Sequence, residues 1–348
     1  MNLSDFYYLK EQANKGDSEA MFRYGCVLLQ SNKFGINEKE ASKYFKMSAD
    51  KGNSKAMYNY AKMLLNGNGI PINKQEAIHY YKMSADLGNL NSIIKYGMML
   101  YKGIGIKVDK SESAKYFKKA SDQGDPRSSH FYGIMLYKGY GVPVDKKEAA
   151  RYIKIAADKG DIKAMHNIGN IYYGGRGIEV DKKLAAHYYK MSADHGDSQG
   201  LFNYAIMLYK GEGIKMDKRE ATVYFKLSAE KGNIRAMFNY GLMLDTGDGI
   251  DINKKEAARY YKMAADLGDL HAMANYAAML DTGDGIEMNK CEASRYYQMA
   301  ALKNSEGLFD NVKLINKNDL LINEKCRCGN ILNDNEMILA LDGNEISI

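Results

Sequence analysis

Residues 245–268 read DTGDGIDINKKEAARYYKMAADLG, and a near copy, DTGDGIEMNKCEASRYYQMA, begins at Asp281, 36 residues on. Taken alone, DTGDGI could be an acidic loop that grips a metal ion or a phosphate. The copy points instead to punctuation. The closing glycine can be followed back through the chain as Gly16, Gly52, Gly88, Gly124, Gly160, Gly196, Gly232 and Gly268, each 36 residues apart without an insertion. A fixed period of this length marks one supersecondary unit stacked on copies of itself. The chain is therefore cut into eight units, residues 17–52 through 269–304, with columns 1 to 36 in each.

Column 1 is Asp or Asn in every unit, from Asp17 to Asp269, a short acceptor placed to cap the free amides of a first helix, helix A. Pro126 follows Asp125 at the first helical position, where its missing N–H is harmless. Columns 4, 5, 8, 9, 11 and 12 carry apolar or small residues, as in Ala56, Met57, Tyr60, Ala61, Met63 and Leu64, which is one face at helical spacing. A glycine at column 15 closes helix A in seven units. Column 21 is again Asp or Asn, with Glu three residues later in seven of the eight units, a pattern like a capping box for helix B. Helix B carries tyrosine at column 28 without exception. Column 9 is only ever Gly or Ala, so helices A and B are expected to approach closely there.

Composition agrees with helices. There are 28 tyrosines, 21 methionines, three prolines and no tryptophan. The net charge of +6 is spread regularly and too mild to single out nucleic acid. The opening MNLSDFYYLKEQ has no basic start followed by an apolar run, and no later stretch is apolar enough to span a membrane, so a cytoplasmic protein is expected. Cys26, Cys291, Cys326 and Cys328 stand outside the period and form no repeating disulfide framework.

The unit A(M)xNYGxMLxxGxGIxxDKKEAxxYYKMAADxG resembles the Sel-1-like repeat, a relative of the tetratricopeptide repeat, over residues 17–304. The resemblance implies an all-α fold, an α-solenoid of 36-residue antiparallel helix-turn-helix repeats wound as a right-handed superhelix, with helices A on the concave side. It also implies adaptor work in protein complexes. Residues 1–16 look like a capping helix B, and residues 305–316 like a C-terminal capping helix. Residues 317–348 are a non-repeat tail, disordered or a small hairpin. Unit 1 departs from the pattern, with QSNKFGI in place of the GxG turn.

Helical geometry sets columns 3, 7, 10 and 14 away from the apolar face of helix A. By the family comparison this strip lines the groove. Column 7 is Asn59, Asn167, Asn203, Asn239 and Asn275, each offering a donor and an acceptor to a peptide group. Column 10 adds Met98, Ile134, Ile206 and Leu242, and column 14 adds Lys102, Lys138 and Lys210, which together suit an acidic or mixed-polarity peptide. The alternative is that the asparagines bond between neighbouring helices and that column 10 packs between units. Asp-Thr replaces Tyr-Lys at columns 13 and 14 in the last two units, read either as a basic-to-acidic gradient or as solvated loop-edge charge.

Other constellations fall away on inspection. A calcium loop from Asp245 to Glu256 would need glycine where Ile250 stands. His130 and His166 share column 6 with Phe22, Tyr58, Phe202 and Phe238, which favours partly buried rings over a metal pair. CRCG at 326–329 supplies two thiols, short of a zinc site. No cofactor is expected. The reading is a non-catalytic scaffold for a protein or peptide, with an RNA-binding array as the alternative and a hydrolase behind it.

Overall fold

The computed structural model describes residues 3–30 and 37–305. The unit 1 turn at 31–36, the expected closing helix beyond Ser305, CRCG and the rest of the tail lie outside the described residues. Within them the chain is an all-α array of helix-turn-helix repeats, an α-solenoid of seventeen helices and no strand.

The chain divides into two compact units, the first ending at Lys159 and the second starting at Gly160. The first holds α1 (Leu3–Asn14), α2 (Ser18–Gln30), α3 (Glu38–Asp50), α4 (Ser54–Asn66), α5 (Lys74–Asp86), α6 (Leu90–Lys102), α7 (Lys110–Asp122), α8 (Pro126–Lys138) and α9 (Lys146–Asp158). The second holds α10 (Ile162–Gly174), α11 (Lys182–Asp194), α12 (Ser198–Lys210), α13 (Lys218–Glu230), α14 (Ile234–Thr246), α15 (Lys254–Asp266), α16 (Leu270–Thr282) and α17 (Lys290–Ser305). Helix A thus fills columns 2 to 14 and helix B columns 22 to 34, except that α17 runs on to Ser305.

The caps explain these bounds. Asp125 Oδ2 accepts from the Ser128 amide at 2.7 Å, with Pro126 in the first turn. At the other end Gly139 takes a left-handed conformation (φ 71°), and the equivalent Gly103 (φ 72°) sends its N–H to the Met99 carbonyl. Helix B forms half of the expected capping box. The column 21 side chain accepts from the column 24 amide, as Asp145 does from Glu148 at 2.9 Å. Its own N–H goes back to helix A, Asp145 to the Leu136 carbonyl at 3.0 Å, and the Glu148 side chain is left to pair with Arg151.

Aromatic pairs hold each hairpin together. The tyrosines of columns 8 and 28 meet edge to face, Tyr60 with Tyr80 at 5.0 Å and Tyr240 with Tyr260 at 4.7 Å, the arrangement that ring quadrupoles favour. Unit 5 has Ile168 at column 8, and there Tyr172 stacks flat on Tyr188 instead (5.9 Å, 5°). Column 9 is as tight as expected: a Cβ on Gly133 would lie 2.6 Å from Ile153 Cγ1 and 3.1 Å from the Ala149 carbonyl oxygen.

Successive repeats are joined through helix B. At several junctions the column 28 hydroxyl donates to column 34 of the repeat before, Tyr80 to Asp50 (3.0 Å), Tyr116 to Asp86 (3.2 Å) and Tyr296 to Asp266 (2.6 Å). Tyr44 does the same to Asn14, so α1 meets repeat 1 as a helix B would. The second glycine of the GxG turn serves the same junction. Gly141 (φ 77°) lies so close to the start of α7 that a Cβ would run into the Lys110 backbone.

Candidate interaction surface

The column 7 asparagines are not the open strip that helical geometry on a single helix suggests. Asn167 and Asn203 are fully buried, Asn239 and Asn275 nearly so, and Asn59 is half-buried. The reason is that helix A touches both its own helix B and the neighbouring helix A, so its buried arc is wider than one stripe. Column 7 lies only about 40° around the helix from column 11, inside that arc. In the second unit Asn203 Nδ2 reaches His166 Nε2 at 3.0 Å and Asn170 Oδ1 at 3.4 Å. Tyr189 donates its hydroxyl to the same Asn170 oxygen at 2.7 Å. Asn239 Nδ2 turns back to the Arg235 carbonyl, and Asn59 Nδ2 faces Cys26 Sγ of the repeat before. The Oδ1 atoms of Asn203 and Asn239 take no hydrogen bond and are sealed from solvent, so a ligand would have to displace side chains to reach them.

Column 10 is divided. Ile134 and Ile206 are buried between helices, while Met98 and Leu242 remain half-buried. At column 14 Lys102 is exposed and Lys138 and Lys210 are half-exposed. Just before each of these lysines lies a half-exposed tyrosine, Tyr101, Tyr137 and Tyr209. The sequence marks column 13 only by its change from tyrosine to aspartate in the last two repeats.

Those tyrosines belong to a junction between repeats. In the second unit, Tyr173 donates to Glu212 of the next repeat at 2.7 Å, and Lys182, whose ammonium sits 5.2 Å from the Tyr173 ring centroid, pairs with Glu212 at 3.1 Å. One repeat on, Asp248 accepts from Tyr209 at 2.7 Å and pairs with Lys218 at 2.9 Å. Then Lys254 pairs with Asp245 of its own repeat (2.6 Å) and Asp284 of the next (3.0 Å). Burial pulls the Lys254 ammonium down, but the bonds to Asp245 and Asp284 outweigh it and leave its pKa above the ordinary lysine value. Asp248 and Asp284 therefore clasp successive repeats. The signal was present as a constant offset of 30 residues between column 22 and column 16 of the next unit. In the first unit the same two columns read Glu38 with Asn68, a 2.9 Å hydrogen bond, and Lys110 with Tyr140, a cation over a ring at 4.3 Å.

Column 20 shows a second regularity. Val108, Val144, Val180, Met216, Ile252 and others are 49–62% exposed, yet each lies against the column 15 glycine of its own turn and covers the end of helix A. His130 and His166 are both buried, as ring positions of column 6. Among the described residues no group of three or more His, Cys, Asp or Glu gathers as for a metal ion, and no helix is long and apolar enough to cross a membrane.

Comparison with known proteins follows this repeat frame. A family model described as the Sel1 repeat matches residues 18–53, 54–89, 91–125, 126–161, 162–197, 198–233, 234–269 and 270–305. Comparison with curated proteins gives no match. Among solved structures, a protective antigen of uropathogenic Escherichia coli displaying an SLR fold is 30% identical with a TM-score of 0.81, over 86% of this chain. The chain covers 64% of that antigen's length. A Sel1 repeat protein from Oxalobacter formigenes is 24% identical with a TM-score of 0.70, over 85% of this chain and 86% of its own, a likeness of fold.

Proposed function

The chain belongs to the Sel1 repeat family, and from that membership we propose that it is a non-catalytic scaffold holding a protein or peptide partner along the side formed by its helices A. Sel1 repeat proteins are in general scaffolds for protein interaction. One observation carries the reading to this surface. Helices A leave half-exposed apolar and aromatic side chains beside cations at matching positions, Met98, Tyr101 and Lys102 in repeat 3, Tyr137 and Lys138 in repeat 4, Tyr209 and Lys210 in repeat 6. Side chains of this mixture supply contact area and orientation together, which an adaptor surface needs. The asparagines of column 7 then set the spacing of the wall, and the partner meets columns 10, 13 and 14. The cytoplasm is the proposed setting, which the free thiols of Cys26 and Cys291 suit.

The test is affinity capture with the full chain, followed by reconstitution with the purified captured protein, with and without nuclease. Binding that survives nuclease and is lost in Met98→Glu and Leu242→Glu variants of unchanged helicity supports the scaffold. Binding that those variants leave intact, or that nuclease abolishes, rejects it.

A further inference from the structure

The clasp between repeats contains its own example of a ligand. In α10–α11 and α12–α13 a column 13 tyrosine and a column 22 lysine converge on one carboxylate, Glu212 or Asp248, supplied by the next repeat. Repeat 3 has the same two donors, Tyr101 and Lys110, but its neighbour supplies Tyr140 where the acid stands later in the chain. Lys110 Nζ is left between two rings, 5.5 Å from the Tyr101 centroid and 4.3 Å from that of Tyr140, with the rings themselves 6.4 Å apart. Lys138 Nζ lies 6.0 Å from the Tyr140 centroid, and Lys102 follows Tyr101 in the open. Among the described residues no carboxylate pairs with Lys102, Lys110 or Lys138. The nearby capping Asp109 is occupied by the Glu112 amide.

We propose that this tyrosine-lined cluster of Tyr101, Lys110, Lys138 and Tyr140 is the seat for an acidic side chain of the partner, so that the scaffold recognises an acidic peptide segment. The proposal rests on the scaffold reading and deepens it by naming the place and the chemistry. A partner carboxylate entering here meets the donor pair that holds Glu212 and Asp248, a hydroxyl and an ammonium in charge-assisted hydrogen bonds. The rings around it lower the local polarity and strengthen both bonds. Carboxylate is favoured over phosphodiester because the internal occupants of the equivalent seats are carboxylates. Burial and the neighbouring Tyr140 hold the Tyr101 phenol above its ordinary pKa, so it remains a donor at neutral pH.

The full chain is titrated with fluorescently labelled hexaglutamate, with hexaglycine and a uridine hexanucleotide in parallel. Lys110→Gln with Lys138→Gln is expected to weaken hexaglutamate about tenfold. Tyr140→Glu, which supplies the acid of the later repeats, is expected to close the seat and weaken it as much. A charge-matched control, Lys183→Gln with Lys255→Gln on exposed helix B positions, should change affinity less than about twofold. Circular dichroism confirms that each variant is folded. Equal loss in the control, no loss in the two test variants, hexaglutamate binding no better than hexaglycine, or tighter binding of the nucleotide at the same seat each overturns the proposal. Those results leave the scaffold reading to its own capture experiment, since a partner can dock elsewhere on the helices A.

Discussion

Gly133 shows how far one position constrains the repeat. A mid-helix glycine is about 0.5–1 kcal/mol worse than alanine, so its presence asks for a compensating contact. The contact is the approach of Ile153 and the Ala149 carbonyl. Gly133→Ala should therefore fail to deliver its helix-propensity gain, and Gly133→Leu should destabilise by about 1–3 kcal/mol or more through overpacking. Chemical denaturation of both variants checks this, and a Leu variant as stable as the parent would contradict the packing. Column 9 was legible because only the two smallest residues occur there. Column 7 was not, because asparagine suits both a ligand and a neighbouring helix, and only the placement of Asn203 beside His166 and Asn170 separates the two.

At the scale of elements, the repeats are joined by a polar clasp laid over an apolar core. Lys218 and Asp248 are about one-third exposed, so their pair is worth roughly 0.5–1 kcal/mol and should be screened by salt. In a double-mutant cycle, Lys218→Met and Asp248→Asn should show coupling of that size at low salt that shrinks at high salt. A coupling near zero at both would leave the clasp a contact without energetic weight. The Asp245–Lys254–Asp284 group answers the question raised by DTGDGI: its acids hold a lysine between two repeats. Helix bounds, caps and the GxG turn could be read from residue types alone, since each has a local cause. The clasp left only the fixed 30-residue offset from column 22 to column 16 as a trace, because the column 16 residue changes along the chain and the pairs meet only when the repeats stack.

Two predictions belong to the molecule as a whole. Because repeats meet only near neighbours, damage should stay local. In Gly133→Leu, amide protection should fall in α8 and α9 while α14 and α15 keep theirs; uniform loss would mean a single cooperative unit. The second concerns alkali. Burial first, then Glu76, raises the Tyr60 phenol from 10.0 to about 12, and burial raises the other paired tyrosines of columns 8 and 28 for which a shift is resolved, such as Tyr240 and Tyr260, in the same direction. The folded state then keeps protons that the unfolded chain releases, so stability is fully present below the ordinary tyrosine pKa and falls as pH rises through the folded value. The melting temperature should be level up to that ordinary value and drop between it and about 12. Phenolate absorption should appear with unfolding, and its appearance in the folded protein at lower pH would argue against buried pairs.

What the sequence determined by itself was the repeat: its period, its helices, their ends and the small-residue seam, all consequences of local propensity and helical periodicity that a chain carries wherever it folds. Tertiary structure decided which of two compatible roles each polar side chain takes. Asn203 turned inward, Asp248 became a clasp, and Tyr101 with Lys110 remained without an acid, because burial and pairing depend on what the adjacent helix presents. That is a property of two distant stretches brought together, and no single column contains it.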